Sequence, residues 1–290
     1  MGFASTYLEK SAIFSEFIKE APDKQTGIIV IVPAYNEPDI SKLLCSLASC
    51  DEPQCGVEVI IVVNAPAIAA NDSLENNKIT LKNIETWKQE NCSCFFRLYA
   101  FDPGGQSFSD WGVGLARKTG MDEAVRRFDN INNSGGVILN LDADCLVEKN
   151  YFVSVYNELF KNKHHSACSI YFEHPLSGND FPDYVYKNIT LYELHLRYYF
   201  QGLAYSGFPF VFHTVGSAFA VKSLDNGVTW QNMPGIRTSN VNRIVLAVTP
   251  AAPNTIYALL SNSQNGYGGL YKSIDAGANW VQIHVRAVVE

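Results

Sequence analysis

Positive charge, paired cysteines and long uninterrupted apolar runs are all scarce in this chain, and each shortage removes a class of function. Its 290 residues carry 22 Lys and Arg against 29 Asp and Glu, for a net charge of −7. That balance argues against a broad nucleic-acid surface. All seven cysteines lie at or before Cys168. Cys92-Ser-Cys94 is too closely spaced for a zinc pair and has no second pair. An odd count in a long chain fits reduced thiols in a cytosolic setting better than a disulfide framework. Met1–Lys10 has no apolar stretch behind a basic start, so no secretory signal is read there. Tyr198–Val221 is apolar and aromatic, but it holds Gln201, Pro209, His213 and three glycines. A lone spanning helix accommodates these poorly, and the segment reads as buried core. The expected setting is cytoplasmic, at most peripheral to a membrane, with no transmembrane segment.

What is present is ample core material, with 47% apolar residues, and a regular alternation of element types. Phe3–Ile18 places apolar residues at helical spacing, so a leading amphipathic helix is expected over 3–20. Ile28–Val32 and Val57–Val63 are β-branched runs of the kind buried on both faces of a parallel sheet. Helical patterns follow at Asp39–Ser49, Lys78–Glu90, Gly114–Phe128 and Asn150–Lys161, with further strands at Phe95–Tyr99 and Val137–Leu141. Strands and helices alternating at these lengths indicate a doubly wound α/β domain.

Asp142-Ala-Asp144 closes the strand that starts at Val137. In extended chain, residues i and i+2 point to the same side, so the two carboxylates can share one small volume. Open α/β sheets bind ligands at the carboxyl ends of their strands. A hard cation suits such a place, because Mg²⁺ takes one or two carboxylates and fills its shell from substrate phosphates. Pro33, Tyr35 and Glu37 end the first strand and Asn64 the second, so they border the same crevice. Arg117 lies on a helix beside small residues, where its guanidinium can meet a diphosphate.

Four segments taken in order, Ile29–Glu37, Gly112–Lys118, Asn140–Asp144 and His213–Ser217, resemble the family-two glycosyltransferases. The likeness covers roughly residues 25–221. It implies a GT-A fold and an inverting enzyme that takes its sugar from a nucleotide diphosphate (a UDP-, GDP- or dTDP-sugar). The acceptor is unknown, with glycans and lipid-linked sugars both in view. By the same resemblance Glu37 contacts the nucleoside, and Asn64 stands where relatives carry a polar or acidic residue for the base. Asp144 ligates Mg²⁺ or Mn²⁺, and Asp142 lies near the ribose or the metal.

Inverting transfer also needs a base for the acceptor hydroxyl. The resemblance places an Asp, usually in a Glu-Asp pair, some tens of residues beyond His213–Val221. Here only Asp225, Asp275 and Glu290 follow Val221, and no Glu-Asp pair appears. Upstream, Glu173 and Glu193 are the acids nearest the acceptor-side segments, and neither is identified as a base. The catalytic residue is therefore unassigned.

The texture changes after Ser223. Ser223-Leu-Asp225-Asn-Gly227-Val-Thr-Trp230 recurs as Ser273-Ile-Asp275-Ala-Gly277-Ala-Asn-Trp280, with strand candidates Ile244–Val248 and Thr255–Leu260 between the copies. This S-x-D-x-G-x-x-W pattern resembles the Asp-box of sialidase-like and sortilin-like β-propellers, a structural turn whose Asp carries no chemistry. The expected organisation is a nucleotide-sugar-binding domain over 1–221 and a short all-β Asp-box fragment over 222–290. Two blade turns do not close a propeller ring, so a truncated or recombined fusion is one expectation. Two other readings are a non-catalytic binding module that uses the tail and a nucleotidyltransferase. The latter would usually carry a Gly-rich, basic loop where Pro-Ala-Tyr-Asn-Glu stands.

Overall fold

The computed structural model describes residues 2–104, 111–161, 167–205, 219–221, 241–249, 252–262, 269–274 and 279–284. A short helix α1 (Ser5–Ser11) leads into β1 (Thr26–Ala34), α2 (Ser41–Ala48), β2 (Gly56–Val63), α3 (Asn71–Glu90) and β3 (Phe96–Phe101). Helix α4 (Val113–Asn130), β4 (Val137–Asn140), α5 (Tyr151–Tyr156), a π-helical turn at Asn157–Lys161 and β5 (Ala167–Ser169) follow. Helix α6 (Asp183–Tyr205), β6 (Phe219–Val221), β7 (Val241–Thr249), β8 (Ala252–Asn262), β9 (Gly269–Ser273) and β10 (Val281–His284) complete the order.

The first sheet runs β3-β2-β1-β4-β6-β5. β3, β2, β1 and β4 are parallel neighbours, and β6 pairs antiparallel with both β4 and β5. Every residue of β1 is buried, as a central parallel strand covered on both faces requires. Alternation assigns its side chains to two layers. Ile28, Val30 and Val32 pack with Leu43, Leu44 and Leu47 of α2, Trp87 of α3 and Phe152 of α5. Ile29 and Ile31 pack with Ala116, Ala124 and Phe128 of α4. Strand order turns back between β1 and β4, so the crevice beyond their carboxyl ends is the switch point where such sheets take ligands.

Several boundaries differ from the sequence expectation. The leading helix is only Ser5–Ser11, and residues 12–25 run without helix or strand. Their amides find carboxylates on α4 in place of helical carbonyls. Ile13 N–H donates to Asp122 Oδ2 at 3.4 Å, and Phe17 and Ile18 N–H donate to Glu123 at 3.3 and 3.1 Å. Helix α3 starts at Asn71 rather than Lys78, because its first two turns are polar and show no apolar period. Tyr198, Tyr199 and Tyr205 are exposed on α6 rather than buried, a placement their phenol hydroxyls tolerate. Residues 206–218 of that stretch, including His213–Ser217, lie outside the described residues. Among the described residues, no helix is long and apolar enough to cross a membrane.

All seven cysteines are free thiols. The chain divides into two compact units, Met1–Phe172 with Thr214–Trp230, and Glu173–His213 with Gln231–Glu290. In the second, β10-β9-β8-β7 form an antiparallel meander. Ser273 ends β9 and Trp280 precedes β10, and both are buried. Asp275, Gly277 and the whole first copy of the repeat, Ser223–Trp230, lie outside the described residues.

Candidate functional site

The loop after β1 turns sharply at Asn36, whose φ of +61° is left-handed. Asn is one of the few residues other than glycine that accepts this conformation. Side chains of α3 hold the turn. Asn36 N–H donates to Asn77 Oδ1 at 2.9 Å, and Asn76 Nδ2 donates to Asn36 Oδ1 at 2.7 Å. Asn77 Nδ2 reaches across to the Asn64 carbonyl at 2.9 Å. Thr80 Oγ1 donates to Glu37 O at 2.8 Å and Asn83 Nδ2 to Pro38 O at 2.9 Å. One helix face therefore fixes the carboxyl ends of both β1 and β2. Asn36 caps no helix, since α2 has Ile40 at its N-cap and no side-chain cap bond.

From the other side, Leu141 N–H donates to Ile31 O at 3.0 Å and keeps the chain extended just past β4. The Asp pair is thereby delivered beside the β1 loop. A cavity of about 320 Å³ opens there, lined by Pro33, Tyr35, Glu37, Asn64, Pro66, Trp111, Gly112, Val113, Asp142, Ala143 and Asp144. Six of the residues singled out from sequence, Pro33, Tyr35, Glu37, Asn64, Asp142 and Asp144, meet in this one cavity. The seventh, Arg117, reaches it through a very short ion pair from Nη2 to Asp142 Oδ1. Arg117 Nε is buried with no hydrogen-bond partner among the described residues, so the guanidinium keeps donor capacity in reserve.

The electrostatics are those of crowded negative charge. Glu37 holds its proton more tightly than an ordinary carboxyl, chiefly through burial and then through the charges of Asp144, Asp39 and Asp142. Asp144 is exposed, and its Oδ1 lies 3.8 Å from the thiol of Cys145. Burial, reinforced by Asp144 and Asp142, pushes that thiol up to about 11, so it stays protonated and is not a nucleophile at neutral pH. Among the described residues, no three of His, Cys, Asp and Glu gather closely enough to cage a metal. A cation there would need ligands from its substrate.

No family model matches the chain, and no curated protein matches it. Among solved structures it is similar to S. aureus TarS residues 1–349, at 23% identity and a TM-score of 0.35 over 53% of this chain and 38% of that one. The same TarS fragment in complex with UDP-GlcNAc matches at 23% identity and 0.36, over 54% and 37%. Its complex with UDP matches at 22% identity and 0.36, over 54% and 38%. This chain thus spans well under half the length of the solved chains it resembles.

Two contributors were not singled out from sequence. Trp111 lines the cavity beside Gly112 and Val113 of the Gly112–Lys118 segment, and its position directly before that segment was the available signal. Asn77 is 6% exposed in the polar first half of α3, where nothing in the sequence marks it. A second cavity, of about 410 Å³, lies along β3 between α3 and residues 17–20. Its charges are mixed, Lys19 and Lys88 with Glu20 and Glu85, and it lies away from the switch point.

In the second unit, Glu193 is buried and paired with His174 Nδ1 at 2.6 Å and Arg197 Nη2 at 3.1 Å. Burial pushes its carboxyl up, but the two hydrogen bonds from His174 and the Arg197 charge outweigh this and leave it below the usual range. An anion held this way is a poor proton acceptor. Glu193 is therefore held as a member of a structural ion pair.

Proposed function

We propose that the cavity binds the diphosphate and nucleoside of a nucleotide sugar, as the donor half of a glycosyltransferase site. One observation carries the reading. Two carboxylates at i and i+2 beyond β4, the Tyr35–Glu37 turn beyond β1, Asn64 beyond β2 and an arginine with a spare donor meet at the switch point of a parallel sheet. Arg117 supplies positive charge for phosphate oxygens. Tyr35, 38% exposed, offers an aromatic face at the rim for a planar base.

The residues fit Mg²⁺ or Mn²⁺ of the kind that takes one or two protein carboxylates and completes its shell from phosphate. Glu37 holds its proton tightly chiefly through burial and secondarily through the charges of Asp144, Asp39 and Asp142, and a cation would relieve that second contribution. Asp144 and Asp142 would hold the ion, which when bound neutralises charge on a departing nucleoside diphosphate. Transfer would go to an acceptor of unknown identity, a glycan or a lipid-linked sugar. Residues 1–221 would form the donor domain and 222–290 an Asp-box tail with a structural part only.

Calorimetric titration with UDP-, GDP- and dTDP-sugars, with and without Mn²⁺, tests the donor reading without requiring turnover. Metal-dependent binding of at least one donor, abolished in Asp144→Ala, is the expected result. Equal affinity with and without Mn²⁺ in both proteins refutes the reading.

A further inference from the structure

We propose that Phe14 is a positioning residue for the nucleotide cavity, acting through Trp111. The inference rests on the donor reading and deepens it. Trp111 is a wall of the cavity and is itself buried, 7% exposed. Its ring is backed by Phe14, with centroids 5.5 Å apart and planes within 9° of parallel. Phe14 in turn meets Phe17 edge-on at 5.9 Å, and Phe17 stacks on Phe101 at the end of β3, at 4.4 Å and 4°. Four rings thus form a ladder from the sheet to the cavity, and the N-terminal segment supplies its middle two.

The segment is built to hold that ladder still. Arg126 Nη2 donates to Phe14 O at 2.9 Å, while Arg126 Nη1 pairs with Glu123 at 2.7 Å. Glu123, 1% exposed, also accepts the Phe17 and Ile18 amides. Nearer the start of the segment, Ala4 N–H donates to Asp129 Oδ1 and Tyr7 Oη to Asp122 Oδ1, each at 2.7 Å. Helix α4 therefore sets both the register of the segment and the start of the cavity wall at Gly112 and Val113. With one face covered by Phe14, Trp111 has little freedom to tilt. A fixed ring beside Tyr35 and Asn64 is suited to a planar, partly apolar group, the base or ribose of a nucleoside diphosphate.

The test is calorimetric titration of UDP-, GDP- and dTDP-sugars, each with Mn²⁺, into the full chain and three variants. Phe14→Ala is expected to weaken binding up to about tenfold, the worth of one aromatic stack. Phe14→Tyr restores the ring and with it wild-type binding. Tyr7→Phe removes a hydrogen bond of the segment without touching the ladder, and it lowers the melting midpoint while leaving affinity unchanged. Wild-type affinity in a cooperatively melting Phe14→Ala protein overturns the inference. So does a loss in Tyr7→Phe equal to that in Phe14→Ala, which would mean general loosening. Should Phe14→Ala fail to fold, Phe14→Leu keeps the burial without the stack and is read in the same way. Absence of binding by the wild-type chain itself would overturn the donor reading instead, so the two failures are distinct.

Discussion

Replacing Arg127 by Met should destabilise the first unit more than any surface change, and the structure supplies the magnitude. Arg127 and Glu58 are 1% and 0% exposed. Nη2 of Arg127 donates to Glu58 Oε1 at 2.9 Å, and Nε donates to Oε2 in a second, shorter bond. Thr26 Oγ1 adds a hydrogen bond to Glu58 at 3.1 Å. Without the guanidinium, Glu58 keeps only that hydroxyl among its described partners. Removing one member of a buried pair costs about 3–5 kcal/mol, because the other charge is left uncompensated. At about 2–4 °C per kcal/mol for a unit of this size, the melting midpoint should fall by about 6–20 °C.

Glu58→Met/Arg127→Met is the informative partner variant. It removes both charges, so most of the loss should return. Recovery will be incomplete, because Arg127 also donates to Glu20 O at 2.8 Å and lies over the Tyr99 ring at 4.5 Å. Those two contacts together account for about 1–3 kcal/mol. Guanidinium denaturation measures the stabilities, with hydrogen exchange of β1 and β2 amides assigning the transition to the first unit. A single variant that loses less than about 1 kcal/mol, or a double variant as unstable as the singles, refutes the reasoning.

Two further outcomes follow from the geometry. A Cβ on Gly120 would sit 2.4 Å from Ile31 Cγ2, so Gly120→Ala should lose about 1–3 kcal/mol to overpacking; Gly114→Ala, with nothing within 4 Å, should match or exceed wild type in the same melts. Burial pushes the Cys50 and Cys55 thiols from 9.0 up to about 11, so the folded state prefers them protonated. Their contribution to stability is whole below pH 9.0 and is lost as pH climbs through about 11. Alkylation by iodoacetamide at pH 8 should accordingly spare both while labelling the exposed Cys45 and Cys92, and equal labelling of all four would contradict it.

How much of this was legible in the sequence depended on whether a contact leaves a local pattern. β1, β2 and β4 were readable because a strand covered on both faces must be apolar throughout. The Asp142 and Asp144 placement was readable because a strand end and a period of two already aim both side chains. Strand order was not readable, since pairing β1 between β2 and β4 depends on packing between segments far apart in the chain. The N-terminal segment misled because Phe14, Phe17 and Ile18 are spaced as a helix face would space them. The amides of Ile13, Phe17 and Ile18 are held instead by carboxylates, and the Phe14 carbonyl by Arg126, all more than a hundred residues away. Nothing local indicates that the amides and hydroxyl of Asn76, Asn77, Thr80 and Asn83 hold the loop after β1. Glu58 sits inside the otherwise apolar Val57–Val63, and its partner Arg127 lies 69 residues on, a pairing that leaves no local pattern.

Helix α4 joins the sheet, the N-terminal segment and the cavity. Gly120 sets how closely the helix approaches Ile31 and Val62, since any side chain there would strike them. Arg127 fixes its rotation through Glu58 on β2, and Asp122 and Glu123 capture the N-terminal segment. Arg117 lies ten residues before Arg127, about 15 Å along the axis, and meets Asp142 at the cavity. A helix held at its far end by a buried ion pair and at its middle by a glycine contact has little freedom left at its near end. Arg117 is therefore delivered to the cavity by constraints that lie outside it. On the donor reading proposed above, loosening Arg127 or crowding Gly120 should weaken calorimetric binding of a nucleotide sugar as well as lower the melting midpoint, whereas a change confined to Arg117 should weaken binding alone.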